Sequence, residues 1–180
     1  MTPRLLVVDV QPAYAFSADC VATSVTAQIN SAKSPVICWV GKGVTEDTEN
    51  DVREYLWKNG ATRKALGRAT FVEKDYGWLR SWMDYGVDEE DILTVLSNML
   101  KTSRRDTSEY TTAELESLLG HTGFPNDDPL YIQGNFDATE LLNCPEWTVC
   151  GGGTDECLRE MELWLSANGK QTTRLDSCVY

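Results

Sequence analysis

Hydrophobic positions along this chain fall into two patterns, short unbroken runs and longer stretches with about one apolar residue per helical turn. Leu5, Leu6, Val7 and Val8 form a run without polar alternation, and Val36 to Val40 form another, opened by Pro35 and closed by Gly41 and Gly43. Such runs suit strands buried on both faces of a parallel sheet. Thr70, Phe71 and Val72 predict a third strand leading into Glu73 and Lys74, and Trp147 to Cys150 a fourth. The segment 170–180, with Thr172, Thr173, Leu175, Cys178 and Val179, predicts a last strand, placing Asp176 within it.

Between these runs the spacing turns helical. Val21, Val25 and Ile29 predict a helix over 18–32, and Val52, Tyr55 and Leu56 a second, fed by the polar, acidic stretch 45–51 whose charges read as solvated. Trp78, Leu79, Trp82 and Met83 make a bulky stripe, and Ile92, Leu93, Leu96, Met99 and Leu100 predict a helix over 88–101. Thr112 is placed to cap a short helix holding Leu115, Leu118 and Leu119, which Gly120 stops. The stretch 124–145 is rich in Pro and Asn, with a brief run at Leu130 to Ile132 that suits an edge strand. Leu158, Met161, Trp164 and Leu165 give one more amphipathic helix, stopped by Asn168 and Gly169. Strands alternating with helices predict an α/β protein with a mainly parallel sheet and helices on both faces, in three layers.

Composition narrows the class. A chain of 180 residues with 42% hydrophobic and 24% charged residues is expected to form a single domain, 1–180, with a full core. No apolar run is long enough to span a membrane, and the first run contains Asp9, so it does not read as a secretion signal; the expectation is a cytoplasmic protein. A net charge of −12 argues against nucleic acid as a partner. Six cysteines in that setting read as reduced thiols, with Cys20, Cys38, Cys150 and Cys178 in or beside apolar runs and expected in the core. The single histidine, His121, lies in a loop, and no C-x-x-C or H-x-x-x-H spacing offers a zinc site, so no metal or cofactor is expected.

The candidate chemistry gathers at predicted strand ends. Gly151, Gly152 and Gly153 join the fourth strand to the last helix, whose first turn holds Cys157. A thiol there feels the positive end of the helix dipole, which favours thiolate; Asp155 and Glu156 oppose this, so a cation from elsewhere is required. The alternative is a small buried cysteine that only packs. GGGTDE lacks both the dinucleotide fingerprint and a P-loop lysine, and its carboxylates stand where a phosphate has to approach. Asp9 ends the first strand and Lys74 the third, at the edge where open α/β sheets bind ligands. Tyr14, Tyr76, Trp78 and Arg80 follow strand ends and are candidate pocket residues, Arg80 for a substrate carboxylate; Trp39, inside an apolar run, reads rather as core.

The string LLVVDVQPAY, with D-x-Q closing the first strand, and GGGTDECL at the strand-to-helix turn together resemble the isochorismatase-like cysteine hydrolases. That resemblance implies an isochorismatase-like fold and a catalytic triad in which Asp9 takes the thiol proton, Lys74 holds positive charge and Cys157 attacks a carbonyl carbon. Thr154 matches the family's threonine three residues before the nucleophile, and Gly152 stands where the family usually has valine after a cis peptide. By analogy the Gly151–Gly152 bond is expected cis. Lys74 has the strand-end context but precedes Cys157 by more than the family's usual interval; Lys101 has the more usual interval, but its pattern is a helix end. The turn at Gly152, Gly153 and Thr154 is the implied oxyanion region, with the N–H groups of Gly153 and Cys157 as donors. The implied activity is metal-independent cleavage of an amide or related C–N bond in a small molecule. The alternative is a protein of this fold that binds or sequesters a small ligand or a protein partner. A homo-oligomer is compatible with either.

Overall fold

The computed structural model describes residues 3–41, 45–74, 86–91, 93–94, 112–119 and 139–180. Five strands, β1 (Arg4–Val8), β2 (Val36–Val40), β3 (Thr70–Lys74), β4 (Glu146–Gly151) and β5 (Gln171–Arg174), form one sheet in the order β3-β2-β1-β4-β5. Every pairing is parallel, and β1 and β2 are the unbroken apolar runs such a sheet buries at its centre. The mainly parallel α/β architecture read from the sequence is therefore present.

The sheet separates two cores, and strand periodicity decides which residue joins which. Leu6, Val8, Cys38, Val72 and Val149 face a layer that holds Leu158, Met161 and Leu165 of one helix. Leu5, Val7, Ile37 and Trp39 face the other layer, built from the helices that carry Val21, Val25, Ile29, Val52 and Leu56. Each fully buried Leu, Ile or Met contributes roughly 1.5–3 kcal/mol relative to exposure. Trp39 is a core residue, as its apolar run predicts.

Helix α1 (Ala15–Ser31) begins three residues earlier than its apolar spacing indicates, running directly out of a 3-10 turn at Pro12–Tyr14. The apolar spacing marks only the buried face, so it does not register the turn before Ala18, where Phe16 is exposed. Proline fits a first turn, where its missing N–H has no partner to lose and its φ is already helical. Phe16 is fully exposed on this helix, and Cys20 is exposed rather than in the core, whereas Cys38, Cys150 and Cys178 are buried.

Helices α2 (Glu49–Lys58) and α3 (Arg63–Leu66) follow β2. The acidic stretch before α2 is more than solvated charge. Thr48 and Asp51 form a reciprocal capping box, while Asp47 Oδ2 accepts from Gln11 Nε2 at 2.8 Å and from the Ala13 N–H at 2.9 Å. Helix α4 (Thr112–Leu119) has Thr112 as its first residue, and α5 (Thr139–Leu142) is a single turn that buries Leu141. Four residues carry too little periodicity for α5 to show in the sequence. The stripe at 78–83 and the run at 130–132 lie outside the described residues, as does most of 88–101, where 89–91 and 93–94 are helical.

Helix α6 spans Cys157–Ala167 and stops at Asn168 and Gly169 as predicted. The last strand is shorter than expected. After Arg174 the chain leaves the sheet through a 3-10 turn, Asp176–Cys178, in which the Cys178 N–H donates to Leu175 at 2.8 Å. Leu175 and Cys178 sit three apart, the spacing of a turn, and Cys178 enters the α1-side core. Asp176 therefore lies in the turn and not in a strand. Among the described residues no helix is long and apolar enough to cross a membrane.

Candidate active site

The strand order reverses between β1 and β4: from β1 the chain builds outward through β2 and β3, then returns to β4 on the other side. In an open parallel sheet the loops that leave such a pair part company and leave a crevice at the carboxyl edge. Asp9 and the Gly151–Gly153 turn leave β1 and β4 at that reversal, with Val8 in register with Gly151. Lys74, the last residue of β3, is in register with Val40 at the same edge.

Side-chain alternation brings Lys74 inward. Val72 faces the α6-side core, so Lys74, two residues on, faces that side as well, while Glu73 between them is exposed. Its Nζ lies 2.9 Å from Asp9 Oδ2, with both side chains only 1% exposed. Burial opposes the ammonium, but the charges of Asp9, Glu160 and Cys157 outweigh it and raise the Lys74 pKa above the ordinary lysine value. Glu160, buried on the first turn of α6, is a site neighbour that the sequence reading missed. Its signal was present: it lies three residues after Cys157, on the same helix face.

Asp9 holds a left-handed backbone with φ +52°, rare for any residue but glycine and least costly for Asp and Asn. Three bonds fix it: its N–H donates to Cys38 at 3.0 Å, its carbonyl accepts from the Tyr180 hydroxyl at 3.0 Å, and its carboxylate takes Lys74. Oδ1 is buried with no hydrogen bond among the described residues, and the charge of the carboxylate acts on the neighbouring thiol. Gln11, the Q of D-x-Q, secures the loop. It is fully buried, donates to the Val40 carbonyl at 2.9 Å and accepts from the Val40 N–H at 2.8 Å, so that it ties the end of β1 to the end of β2.

Cys157 opens α6 as expected, and its sulfur accepts from the Gly153 N–H at 3.1 Å. Its thiol pKa is pushed up to about 12, first by burial and then by the Asp9 charge, with Lys74 and the Gly153 N–H pulling the other way. The resting group is a protonated thiol held beside an ion pair, and the opposing carboxylate is that of Asp9. Cys38, in the core against which Cys157 packs, is raised further by its burial.

The glycine turn departs from the resemblance in one respect. The Gly151–Gly152 peptide is trans, and both residues reach the reversal through positive φ, +77° and +61°. A Cβ on Gly151 would stand 2.4 Å from the Val8 carbonyl oxygen, and one on Gly152 would stand 3.0 Å from the Cys157 sulfur. Small size and left-handed freedom are thus used together here. Thr154 donates its N–H to the Tyr180 carbonyl at 2.9 Å and its hydroxyl to the same oxygen at 3.4 Å. Both donors are therefore turned to Tyr180.

Tyr14 lies in the 3-10 turn after Asp9 with its hydroxyl buried, close enough to Tyr180 for their charges to interact. Tyr76, Trp78, Arg80, Lys101 and His121 lie outside the described residues. Tyr180 itself was not singled out in the sequence: it closes the predicted last strand, and nothing local says that the chain leaves the sheet after Arg174 and brings it to Gly152 and Asp9. Among the described residues, no three His, Cys, Asp or Glu side chains cluster to hold a metal ion. Compared with protein families, curated proteins and solved structures, the chain finds no match.

Proposed function

We propose that this chain is a cysteine hydrolase of isochorismatase-like fold that cleaves an amide or related C–N bond of a small molecule through a thioester. The observation that carries the reading is the Asp9–Lys74 pair, 2.9 Å apart and fully buried, beside the Cys157 thiol at the strand-order reversal. Burying two charges costs several kcal/mol per ion before their attraction is counted, so a buried pair at a sheet's ligand-binding edge points to a function other than stability.

The chemistry follows from the resting thiol. As a substrate carbonyl carbon approaches Cys157, the S–H bond breaks, its proton passes to Asp9, and the sulfur bonds to carbon while the carbonyl electrons move to oxygen. Lys74 offsets the negative charge shared by Asp9 and the sulfur. Collapse of the tetrahedral intermediate breaks the C–N bond, and the leaving nitrogen takes the proton from Asp9. Water, deprotonated by Asp9, then hydrolyses the thioester and restores the thiol. A raised thiol pKa is compatible with this order, because the proton leaves together with the attack and not before it.

A second reading, a ligand-binding protein without turnover, is favoured by the same thiol being held near 12 and by Thr154 spending its donors on Tyr180. A screen of small amide, ureido and carbamoyl compounds with ammonia detection separates the two. The hydrolase reading expects at least one compound to release ammonia, with Cys157→Ser abolishing release and Cys20→Ser leaving it intact. Turnover that survives Cys157→Ser contradicts the reading.

A further inference from the structure

Tyr180 is tied to both halves of the site. Its N–H donates to the Gly152 carbonyl at 3.2 Å, its carbonyl accepts from Thr154 at 2.9 Å, and its hydroxyl donates to the Asp9 carbonyl at 3.0 Å. These contacts place a phenol between the left-handed Asp9 and the glycine turn that carries the nucleophile. Gly152, whose carbonyl Tyr180 binds, lies against the nucleophile, a Cβ there standing 3.0 Å from the Cys157 sulfur, so the phenol and the thiol share one small region and their charges interact. Burial first, then the charges of Cys157, Asp9 and Tyr14, raise its pKa well above the ordinary tyrosine value, so it remains a donor throughout the working pH range.

We propose that Tyr180 is a further catalytic residue, whose hydroxyl proton rotates from the Asp9 carbonyl to the sulfur of Cys157 as charge develops there. A phenolic hydrogen turns about its C–O bond at little cost, so one donor can serve two acceptors in sequence. The Gly153 N–H is already aimed at the sulfur at 3.1 Å, and the phenol supplies a second donor to the same atom. In the resting state the Asp9 carbonyl keeps the hydroxyl satisfied, so this donor is not buried without a partner. Among the described residues, the other ionisable groups around this point are Asp9, Cys38 of β2, Lys74 of β3, Glu160 of α6 and Tyr14 of the 3-10 turn.

The inference rests on Cys157 being the nucleophile, but its test needs no substrate. Iodoacetamide alkylation of Cys157 is followed by peptide mass spectrometry between pH 8 and 10 in a Cys20→Ser background, which removes the exposed competing thiol. Below the thiol pKa, the rate reports the thiolate fraction at fixed accessibility. A lost donor raises that pKa and slows alkylation. Tyr180→Phe, which keeps the ring and the backbone bonds, is expected to react roughly three- to tenfold more slowly: losing a hydrogen bond to a charge raises the thiol pKa by about one to two units, and the more basic thiolate regains about half of that in nucleophilicity. A fluorinated tyrosine at position 180 is a stronger donor of nearly the same shape, and is expected to react faster than the parent. It decides the matter alone if Tyr180→Phe does not fold. Equal or faster alkylation in Tyr180→Phe, or an unchanged rate with the fluorinated residue, overturns the role of Tyr180. Neither result touches the hydrolase reading, which the ammonia screen tests separately.

Discussion

Two ion pairs stand at opposite ends of the central strand, and they differ in nearly everything but formal charge. At the amino end of β1, Arg4 meets Glu140 at 3.0 Å with side chains 23% and 42% exposed, and also donates to the Ser34 carbonyl and lies over the Trp147 ring. That end opens into a cavity of about 700 Å³ lined by Arg4, Lys33 and Asn143, among others. At the carboxyl end, Asp9 meets Lys74 at 2.9 Å with both side chains 1% exposed. Solvent screens the first pair and leaves it worth about 1 kcal/mol or less. Burial makes the second both costly to form and costly to break.

The largest expected effect is on the buried pair. Lys74→Met leaves the Asp9 carboxylate buried without its cation and is expected to lower stability by roughly 3–5 kcal/mol in urea denaturation, while adding Asp9→Asn restores most of the loss. If the single variant stays within 1 kcal/mol of the parent, the pair is not buried as described. Gly151→Ala comes next. It forces an L side chain to φ +77° and brings a Cβ within 2.4 Å of the Val8 carbonyl, so a loss of about 1–3 kcal/mol from backbone strain alone is expected in the same assay.

How much of this contrast the sequence carries depends on the kind of signal. Asp9, Lys74 and Cys157 were legible because unbroken apolar runs mark buried parallel strands, and whatever ends such a run lies at a sheet edge. Gln11 was legible as part of D-x-Q, but not its pairing with Val40, since nothing local says which backbone a buried amide will meet. Glu160 and Tyr180 come from a helix face and from a chain reversal after β5, and only the tertiary path brings them to Asp9. The start of α1 at Ala15 was not legible because apolar spacing marks only the buried face, and Phe16 in that first turn is exposed. The trans glycine turn departs from the analogy because two adjacent glycines reach the same reversal through positive φ.

Alkaline pH sharpens the comparison with a smaller effect. The thiol of Cys157 moves from an ordinary value of 9.0 to about 12 in the folded chain. Between these values the unfolded chain releases a proton that the folded chain keeps, so the unfolded form is favoured as pH rises. This contribution to stability is complete below about pH 9 and is lost progressively toward pH 12. Melting temperature is therefore expected to fall across that window, and Cys157→Ala to reduce the slope; an identical slope in that variant would place the titration elsewhere. The smallest effect belongs to the exposed pair, where Glu140→Gln is expected to change stability by less than about 1 kcal/mol in urea.

The central claim, that the thiol beside the Asp9–Lys74 pair forms a covalent intermediate, is tested most directly by acid quenching. Protein mixed with a small amide that yields ammonia is quenched within the first turnovers, digested and mapped by mass spectrometry. The account predicts an acyl adduct on the peptide holding Cys157, absent in Cys157→Ser and strongly reduced in Asp9→Asn. Ammonia release with no adduct on Cys157, and undiminished in Cys157→Ser, would contradict it.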